Sequence, residues 1–586
     1  MQATSKPSLY IIKRIWEIFK DERRSFYVSL ILIAIYIVLS RTVPFLYGAA
    51  IDYGVRKQDL NAVYIISAIY LVSVILHSGF SYWSNFYLMK MSNSWEHILR
   101  GRLIKHVLAL PIAFFDKNSS GRTTTRVTND VSSFSDLLKQ GLGEFGFSII
   151  SIASLIVSLL LISVPITLCV LAVMPIIFIV AYVISKKLRV IFLDVKRYLS
   201  DINSFSAESF SGYKVIHLFN IHPKIEKDFN SKTKKHKDSQ LESVKWFALL
   251  WPLLDFMSNI YIIIALSVGY YLHTEFNFSA GELSAYILLL QQFFKPIRQL
   301  LEKYTILQSS FASTERIISL LDEPEEKSFA KTNYVKMNKE ILVKNLNFAY
   351  GTEAVLKNVN LKIPKGKTIA LVGRTGSGKS TLVKLLQKQY PVEDDCIFID
   401  QTDINSIDSR SLRKNIVMIQ QDAFLFKDTL KNNITLKSGS EPSLDFLKST
   451  QVTELEAYKS KALDFEIDEY GQNLSSGEKQ IINLARSVYH SPDILILDEA
   501  TAHIDVLMEQ KLQRAIQNLP SHVTKIYIAH RLSTIKHADI IYVLKDGQVT
   551  GHGNHESLMT DNSYYRQLVE SNEFIQKNNG SNEIRI

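Results

Sequence analysis

The most informative stretch of this chain is Gly373-Arg374-Thr375-Gly376-Ser377-Gly378-Lys379-Ser380-Thr381. It follows the apolar run 369–372, which predicts a buried strand, and it precedes a leucine-rich helical pattern. Glycines at a strand-to-helix turn adopt backbone angles closed to other residues, so that N–H groups and the helix N-terminus point at polyphosphate. Lys379 supplies a cation and Ser380 a Mg²⁺ ligand. The stretch therefore predicts an α/β P-loop domain that binds a nucleotide, and the flanking strand and helix disfavour a plain glycine-rich turn.

The rest of the chain divides by composition. A length of 586 residues is too great for one core, so we expect two or more domains. Long apolar runs occupy the first part, whereas the last part has the composition of a soluble domain. We assign a transmembrane domain with an N-terminal interfacial helix to 1–322, a charged linker to 323–336, the nucleotide-binding domain to 337–575 and a polar tail to 576–586.

Six apolar runs are long enough to predict transmembrane helices, since about 20 apolar residues cross a bilayer. They lie at 26–50, 61–87, 143–163, 166–185, 246–271 and 281–296, and the helical pattern of the sixth continues towards Glu315. Before them, residues 9–20 place Ile12, Ile15, Trp16 and Phe19 on one helical face. This pattern predicts a helix that lies on the membrane surface.

The distribution of charge predicts the orientation in the membrane. The net charge of +10 suggests nucleic acid, but Lys and Arg concentrate beside the apolar runs, where anionic lipid headgroups are the better partner. Segments 88–142 and 186–245 are basic, whereas the connections between the other spans carry only Arg56 and Lys57. We therefore expect a multi-pass protein of the cell membrane whose termini and nucleotide domain are cytosolic. Two distant cysteines suit a reducing cytosol.

The two basic segments also have helical periodicity. They are interpreted either as solvated loops or as helical extensions of the spans into the cytosol that act as mechanical arms.

Two further motifs in the second domain carry chemistry. The apolar run 494–497 predicts a strand that ends in Asp498, suited to bind Mg²⁺, and Glu499, suited to polarise the attacking water. Upstream, Leu474-Ser475-Ser476-Gly477-Glu478-Lys479-Gln480 predicts a helix start whose N-terminus binds a phosphate. Taken alone, each motif is weak evidence, because acidic pairs after strands and capped helix starts are common.

The order of these motifs resembles that of an ATP-binding cassette half-transporter of the exporter type, with a type I exporter membrane domain followed by one nucleotide-binding domain. The resemblance extends into the membrane half through Phe114-Phe115-Asp116, Gly121-Arg122, Arg126-Val127-Thr128-Asn129-Asp130 and Glu315-Arg316. It implies adenine stacking for Tyr350, a Mg²⁺-linked loop at Gln421, and a γ-phosphate contact for His530. The chain looks most like the second subunit of bacterial heteromeric multidrug or lipid exporters.

Together, the motifs and the resemblance assign the site. Catalysis is assigned to Glu499, His530 and Gln421, and Mg²⁺ to Ser380, Gln421 and Asp498. ATP is assigned to Tyr350, Gly373, Arg374, Thr375, Gly376, Ser377, Gly378, Lys379, Ser380, Thr381, Ser475, Ser476, Gly477, Glu478 and Asp505. The alternatives are a packed aromatic at Tyr350 and an ordinary core or surface histidine at His530.

The chain departs from the family pattern at the signature. Ser476 replaces a glycine and Glu478 a glutamine, so a side chain and a like charge approach the γ-phosphate. We therefore expect a heterodimer in which a partner half-transporter supplies an intact signature, with a homodimer as the alternative.

The predicted function is ATP-driven export or flipping of hydrophobic or amphipathic drugs or lipids. The alternatives are an ATP-gated channel or regulator, and a peptide exporter, which is disfavoured because no cysteine protease region precedes the first span. Six spans exclude a soluble cassette ATPase that acts on DNA. Asp255, within the fifth span, is predicted to bind cationic substrate or a proton, or else to be the structural partner of a polar group such as Asn259 or Arg41.

Overall fold

The computed structural model describes residues 8–20, 23–276, 278–326, 332–498, 506–528 and 535–570. The chain divides into two compact units. The first comprises Met1–Leu108 and Ser119–Glu323, and the second comprises Ala109–Asn118 and Pro324–Ile586. The short segment Ala109–Asn118 thus belongs with the second unit, although it lies within the predicted membrane domain in sequence.

The first unit is helical throughout its described residues. Its helices are α1 Ser8–Ile18, α2 Arg23–Ala49, α3 Leu60–Leu108, α5 Ser120–Thr125, α6 Val131–Asp136, α7 Gly146–Ile162, α8 Val164–Ser211, α9 Tyr213–Leu218, α10 His222–Phe276 and α11 Ala280–Leu321, while α4 Ile112–Lys117 lies in the second unit. Wider π-helical turns extend α2 through Ala50–Val55 and join α5, α6 and α7 through Arg126–Asp130 and Leu137–Phe145. The helices at 60–108, 164–211, 222–276 and 280–321 all exceed the length that a bilayer requires, as predicted for spans with cytosolic extensions.

Length and hydropathy alone identify four membrane spans among the described residues. They are Arg23–Val55, Leu60–Leu108, Ser120–Ile162 and Asp255–His273. The other two predicted spans lie in α8, of which Val164–Ile176 is one apolar stretch, and in α11, which carries charges along its length. α11 continues without interruption past Pro296 to Leu321, as the sequence pattern predicted.

The apolar face of α1 packs against α3 at the C-terminal end of α1. Phe19 is 2% exposed, and its ring stacks on Trp95 of α3 at 4.2 Å between centroids. At the other end of the helix, Tyr10 donates a hydrogen bond to Asp322, and Arg14 forms an ion pair with the same carboxylate. The helix is therefore fixed to α3 and to the end of α11. The side chain of Ile12 lies outside the described residues.

α2 and α11 meet at a backbone contact between two glycines. A Cβ on Gly48 would lie 2.5 Å from the carbonyl oxygen of Gly281, and a Cβ on Gly281 would lie 2.2 Å from that of Gly48. Asp52 accepts hydrogen bonds from the Gly281 N–H, at 3.0 Å, and from the Ser279 hydroxyl. Only glycine permits this approach at both positions.

The second unit contains the strands. They are β1 Glu340–Tyr350, β2 Glu353–Pro364, β3 Thr368–Val372, β4 Ile397–Ile399, β5 Thr402–Asp403, β6 Ile416–Ile419, β7 Asp428–Thr429, β8 Glu466–Ile467, β9 Ile494–Asp498, β10 Thr524–Ile528, β11 Ile540–Lys545 and β12 Gln548–Gly553. Its helices continue as α12 Lys379–Leu386, α13 Ser409–Asn415, α14 Leu430–Thr435, α15 Leu444–Ser449, α16 Glu456–Lys461, α17 Ser476–Val488, α18 Val506–Gln517 and α19 His555–Asp561.

A six-stranded sheet in the order β12-β11-β3-β10-β9-β6 forms the centre of this unit. Strands β11, β3, β10, β9 and β6 run parallel, and β12 pairs antiparallel at the edge. The parallel strands are almost wholly apolar because helices cover both faces of such a sheet. Ile528 pairs with Leu371 on one side and with Asp498 on the other, so the loops after β3, β9 and β10 leave the same edge.

Candidate nucleotide site

The glycine-rich stretch forms the predicted turn between β3 and α12. Gly376 and Gly378 have φ angles of +83° and +99°, a region that side chains rarely permit. Gly373 has no such angle, but a Cβ there would lie 2.2 Å from the carbonyl oxygen of Leu544. The glycines are therefore required for two reasons, backbone conformation and close packing.

Lys379 begins α12, and its ammonium group lies inside the loop. It donates to the carbonyl oxygens of Gly373, at 2.7 Å, and Arg374, at 3.0 Å, and the residue is 5% exposed. Ser380, the next residue, is exposed at the mouth of the loop. The cation is thus held at the centre of the cradle, with the hydroxyl available at its rim.

The loop fits a polyphosphate. The Ser377 hydroxyl is buried and has no hydrogen-bond partner among the described residues. Such an orphaned group is costly unless a ligand or water satisfies it. A phosphate oxygen within the cradle would accept its proton, and the N-terminus of α12 would favour the negative charge.

Tyr350 belongs to a cluster of three aromatic rings. Its centroid lies 4.9 Å from Phe348 and 5.0 Å from Tyr390, in edge-to-face geometry, and its hydroxyl lies 3.4 Å from that of Thr381. The ring remains 39% exposed. This exposure is compatible with the adenine stacking predicted for Tyr350.

Tyr390 joins this cluster to the segment Ala109–Asn118. Its hydroxyl donates a hydrogen bond to Asp116 in α4, and Lys384 of α12 forms an ion pair of 3.5 Å with the same carboxylate. Burial, together with the bond to Asp116, raises the pKa of Tyr390 above its usual value. Asp116 therefore contacts both the P-loop helix and the ring that supports Tyr350.

The acidic strand ends where the sequence predicted. Asp498 is the last residue of β9 and lies at the edge that β3 shares. Glu499, Asp505 and His530 fall outside the described residues, so their roles stay predictions. Since β10 is described up to Ile528, His530 follows the strand that lies between β3 and β9.

The segment that contains Gln421 is held by the signature helix. The side-chain amide of Gln480 in α17 donates to the carbonyl oxygens of Gln420 and Gln421. Nearly two turns further along the helix, Arg486 donates to the carbonyl oxygen of Phe424 at 2.7 Å, and burial lowers the pKa of Arg486. The Gln421 residue itself is exposed. These hydrogen bonds thus hold the main chain of this loop, while Gln421 remains exposed to solvent.

The signature begins α17 with a reciprocal cap. Ser475 accepts a hydrogen bond from the Glu478 N–H at 3.2 Å, and the Glu478 carboxylate accepts from the Ser475 N–H at 3.1 Å. Glu478 is 8% exposed, whereas Ser476 is exposed in the first turn. The carboxylate therefore turns back onto its own helix, where the N-terminal dipole stabilises its charge. The sequence did not show this orientation, and it moderates the predicted repulsion of phosphate.

Comparisons with known proteins cover both units. The family model described as the ABC transporter transmembrane region matches residues 26–297, and the model described as ABC transporter matches residues 356–502. A multidrug resistance-like ATP-binding protein of Buchnera aphidicola is 32% identical over 92% of this chain and 94% of its own length. The chain belongs to the ABC transporter family, as an exporter. It binds ATP and couples its hydrolysis to transport across a membrane.

Other ABC relatives and one solved structure agree with this assignment. An ATP-dependent lipid A-core flippase of Pseudomonas fluorescens is 32% identical over 91% of this chain and 87% of its own length. A bacterial Atm1-family ABC exporter, solved with ATP bound, superposes with a TM-score of 0.77 at 22% identity and covers 94% of this chain and 98% of its own. That likeness confirms the type I exporter fold predicted from the sequence.

Asp255 has a structural partner, one of the two alternatives predicted, although it is neither of the residues named as examples. Its carboxylate forms an ion pair with Arg298 of α11, and neither the Asn259 amide nor Arg41 binds that carboxylate. The Asn259 amide donates instead to the Asp255 main-chain oxygen at 3.0 Å. The sequence did not predict this pair because the two helices that carry it cross at a register that periodicity alone does not determine.

Three functional contacts escaped the sequence analysis. Gln480 ends the signature motif without a predicted role, and Tyr390 belongs to none of the predicted motifs. Tyr564 was also missed, although its hydroxyl accepts a hydrogen bond of 3.4 Å from the Arg374 N–H of the loop. An aromatic residue near the loop is a weak signal, and only the fold brings these residues to the site.

Proposed function

We propose that the chain exports or flips hydrophobic or amphipathic compounds, drugs or lipids, as one half of a dimeric transporter. The observation that carries this proposal is the match of both halves to relatives named for multidrug resistance and lipid A-core flipping. Those names belong to the relatives, and for this chain we propose a substrate of the same broad kind, one with a large apolar part. A wide, partly apolar cavity among α2, α3, α7 and α11 supports the same class of substrate.

The site residues receive specific roles in this proposal. The loop N–H groups and Lys379 hold the β- and γ-phosphates, and Tyr350 stacks on adenine. Glu499 orients and activates the attacking water, and His530 holds the γ-phosphate. Asp505 and the signature residues Ser475, Ser476, Gly477 and Glu478 complete the ATP contacts.

Mg²⁺ is proposed to bind through Ser380, Gln421 and Asp498, whose side chains supply oxygen ligands. An exposed hydroxyl after Lys379 and a carboxylate at the end of β9 are the hard oxygen ligands that Mg²⁺ prefers. When bound, the ion neutralises charge on the phosphates. The protein residues align the nucleotide and hold the attacking water.

The proposed working unit is a heterodimer. In exporters of this type, each ATP site combines the phosphate loop of one subunit with the signature of the other. Here the loop carries every expected residue, while the signature carries Ser476 and Glu478. A partner with an intact signature would complete a fast site against Glu499, and the altered signature would complete a slow one. Both termini and the nucleotide domain are proposed to be cytosolic, on the charge of the connecting segments.

An ATP-gated channel or regulator built on the same cassette is the competing function. A pump must hydrolyse ATP in every cycle. The presence of Glu499 and His530, which are predicted to act in hydrolysis, favours a pump over a channel. To test the proposal, the chain is reconstituted in liposomes with and without a neighbouring half-transporter. ATPase stimulation and uptake are then measured against a panel of lipids and hydrophobic amines. We expect stimulation and uptake to depend together on ATP hydrolysis. Substrate flow that persists with a non-hydrolysable ATP analogue would support the channel instead.

A further inference from the structure

The peptide group between Gly373 and Arg374, at the start of the phosphate loop, is held from both sides. Its carbonyl oxygen, on Gly373, accepts a hydrogen bond of 2.7 Å from the Lys379 ammonium group. Its N–H, on Arg374, donates to the Tyr564 hydroxyl at 3.4 Å. The group is trans and planar, so its C=O and N–H point to opposite sides. Tyr564 therefore acts on the same rigid group as the loop lysine, from the other side.

The next carbonyl of the loop also binds the lysine. The Arg374 carbonyl oxygen accepts hydrogen bonds from the Lys379 ammonium group, at 3.0 Å, and from the Ser377 N–H, at 3.1 Å. Lys379 is 5% exposed, so its position depends on these internal contacts. The orientation of two consecutive peptide groups thus helps to determine where the cation lies.

Tyr564 belongs to a helical segment at 563–570 that is attached to α19. The next residue, Tyr565, is fully buried, and its hydroxyl shares a hydrogen bond of 2.7 Å with His555 Nδ1. Arg566 donates to two main-chain oxygens of α19, at 2.8 and 2.9 Å. Because its neighbours are held in this way, Tyr564 is a well-placed side chain rather than part of a loose terminus.

The same segment packs on β3, the strand that leads into the phosphate loop. Tyr565 shares a buried apolar cluster with Ala370 and Val372 of β3. Tyr564 lies at the edge of this cluster, and the Lys545 ammonium group lies 5.2 Å from the centre of its ring. One core therefore positions both Tyr564 and the start of the loop.

Packing of the ring is the simpler explanation for Tyr564. A ring at the edge of a core, beside a lysine, contributes apolar contact and a cation–π interaction. Phenylalanine would serve that purpose equally well, so packing alone does not account for the hydroxyl on the Arg374 N–H. Arg374 is exposed, and water would satisfy this N–H in the absence of Tyr564. The hydroxyl replaces a mobile water with an acceptor of fixed position.

We propose that Tyr564 is a positioning residue of the ATP site, whose hydroxyl orders the peptide group between Gly373 and Arg374 so that Lys379 is presented to the phosphates before nucleotide binds. A loop that is already ordered loses less conformational entropy on binding, so its affinity for the ligand is higher. This role rests on the phosphate-binding function proposed for Lys379. It assigns a part in ATP binding to a residue 190 positions beyond the loop.

The affinity of Tyr564→Phe for ATP tests this role. The full-length chain is placed in phosphatidylcholine nanodiscs, and the Kd of a fluorescent ATP analogue is measured together with the KM and kcat of ATP hydrolysis. We expect Kd and KM to rise about two- to fivefold, the lower part of the range for one neutral hydrogen bond because this bond is long. The kcat should change less than about twofold, since the ring and its packing remain. An unchanged Kd would overturn the proposal.

Hydrogen exchange of the main chain reports on the contact itself. In nucleotide-free protein, a proteolytic peptide that spans the phosphate loop should exchange its amide hydrogens faster in Tyr564→Phe than in the wild type, because the Arg374 N–H loses its fixed acceptor. A role confined to packing would leave this exchange unchanged. Faster exchange combined with wild-type affinity for ATP would show that the bond exists but positions nothing, and it would also overturn the proposal.

Tyr489→Phe is the matched control. It removes another tyrosine hydroxyl of the second unit that bonds the main chain, in this case the Ser440 carbonyl oxygen. The control should retain the wild-type Kd for ATP and the wild-type exchange of the loop. Tyr564→Leu removes both the ring and the hydroxyl, and its Kd should rise at least as far as that of Tyr564→Phe. Equal Kd values for Tyr489→Phe and Tyr564→Phe would contradict a specific role of Tyr564.

Adenosine locates the effect at the phosphates. It keeps the base and the ribose but has no phosphate, so its inhibition constant against the fluorescent nucleotide should be the same in the wild type and in Tyr564→Phe. An equal loss of affinity for adenosine and ATP would refute an action through Lys379. None of these measurements involves transport, so their failure leaves the export function standing. An absence of ATP-driven transport in liposomes would contradict the export function without affecting the result for Tyr564.

Discussion

Arg316 binds Asp130 through two parallel hydrogen bonds, 2.9 Å from Nε and 2.6 Å from Nη2, across 186 residues of sequence. Asp130 is 6% exposed, and Arg316 also donates to the Ser313 hydroxyl. The hydrogen bond to Asp130 is the main reason that the pKa of Arg316 is raised. Both residues belong to motifs of the family resemblance. Their pair fixes α11 to the π-helical turn between α5 and α6.

Replacing Arg316 should therefore be costly for the first unit. Arg316→Ala leaves the buried Asp130 carboxylate unpaired, and we expect a loss of about 1–3 kcal/mol, below the usual cost for fully buried pairs because Arg316 is half-exposed. Arg316→Lys should recover part of this loss, since a point charge cannot form both bonds. The midpoint of thermal unfolding in detergent measures both. If the double variant Arg316→Ala/Asp130→Asn unfolds at no higher temperature than Arg316→Ala alone, the result would argue against the ion pair.

Glu499 is predicted to activate the attacking water. Glu499→Gln should keep ATP binding and slow single-turnover hydrolysis at its site by about 10²–10⁴-fold, because it removes the base and leaves the phosphate cradle intact. Glu556→Gln, an exposed acid of α19, is the control and should hydrolyse at the wild-type rate. Unchanged hydrolysis in Glu499→Gln would reject the assignment.

Tyr390 should carry a signal between Asp116 and the adenine ring. Tyr390→Phe keeps the packing against Tyr350 but removes the hydrogen bond to Asp116. We expect basal ATPase activity to change less than about twofold and substrate stimulation to fall several-fold, as one bond to a charged group is lost. Tyr489→Phe removes a comparable bond to the Ser440 carbonyl oxygen and should retain stimulation. Equal behaviour of the two variants would contradict the link.

The heterodimer proposal depends on Ser476. In a purified lone chain, both sites would inherit the altered signature, so ATPase activity should be low and should rise on adding a partner half-transporter. Ser476→Gly should raise the activity of the lone chain, because a smaller residue admits the γ-phosphate more closely. Glu478→Gln serves as a comparison that retains the cap. Full, substrate-stimulated activity of the lone chain that does not respond to Ser476→Gly would support a homodimer.

The proposed orientation is measured with single cysteines in a chain whose Cys169 and Cys396 are replaced. Lys57→Cys, in the turn between α2 and α3, should react with a membrane-impermeant thiol reagent added to intact cells. Lys234→Cys, on the basic part of α10, should react only after the cells are opened. The reverse pattern would invert the protein in the membrane.

The sequence was most informative where local chemistry determines structure. The turn at Gly376 and Gly378 and the strand that ends in Asp498 follow from residues that few other folds permit in that order. The partners of Asp255 and Glu478 did not follow, because each depends on where a flexible side chain turns once neighbouring helices are in place. The apolar runs also predicted the spans that lie in α8 and α11.

The glycine contact between α2 and α11 limits how this half-transporter can change shape. The two main chains approach closely at Gly48 and Gly281, and Asp52 adds two hydrogen bonds across the same joint. Any large displacement of α2 against α11 during transport is therefore expected at their other ends. We therefore expect the joint to act as a fixed point during transport, with Arg41 of α2 and Lys295 of α11 further along the two helices.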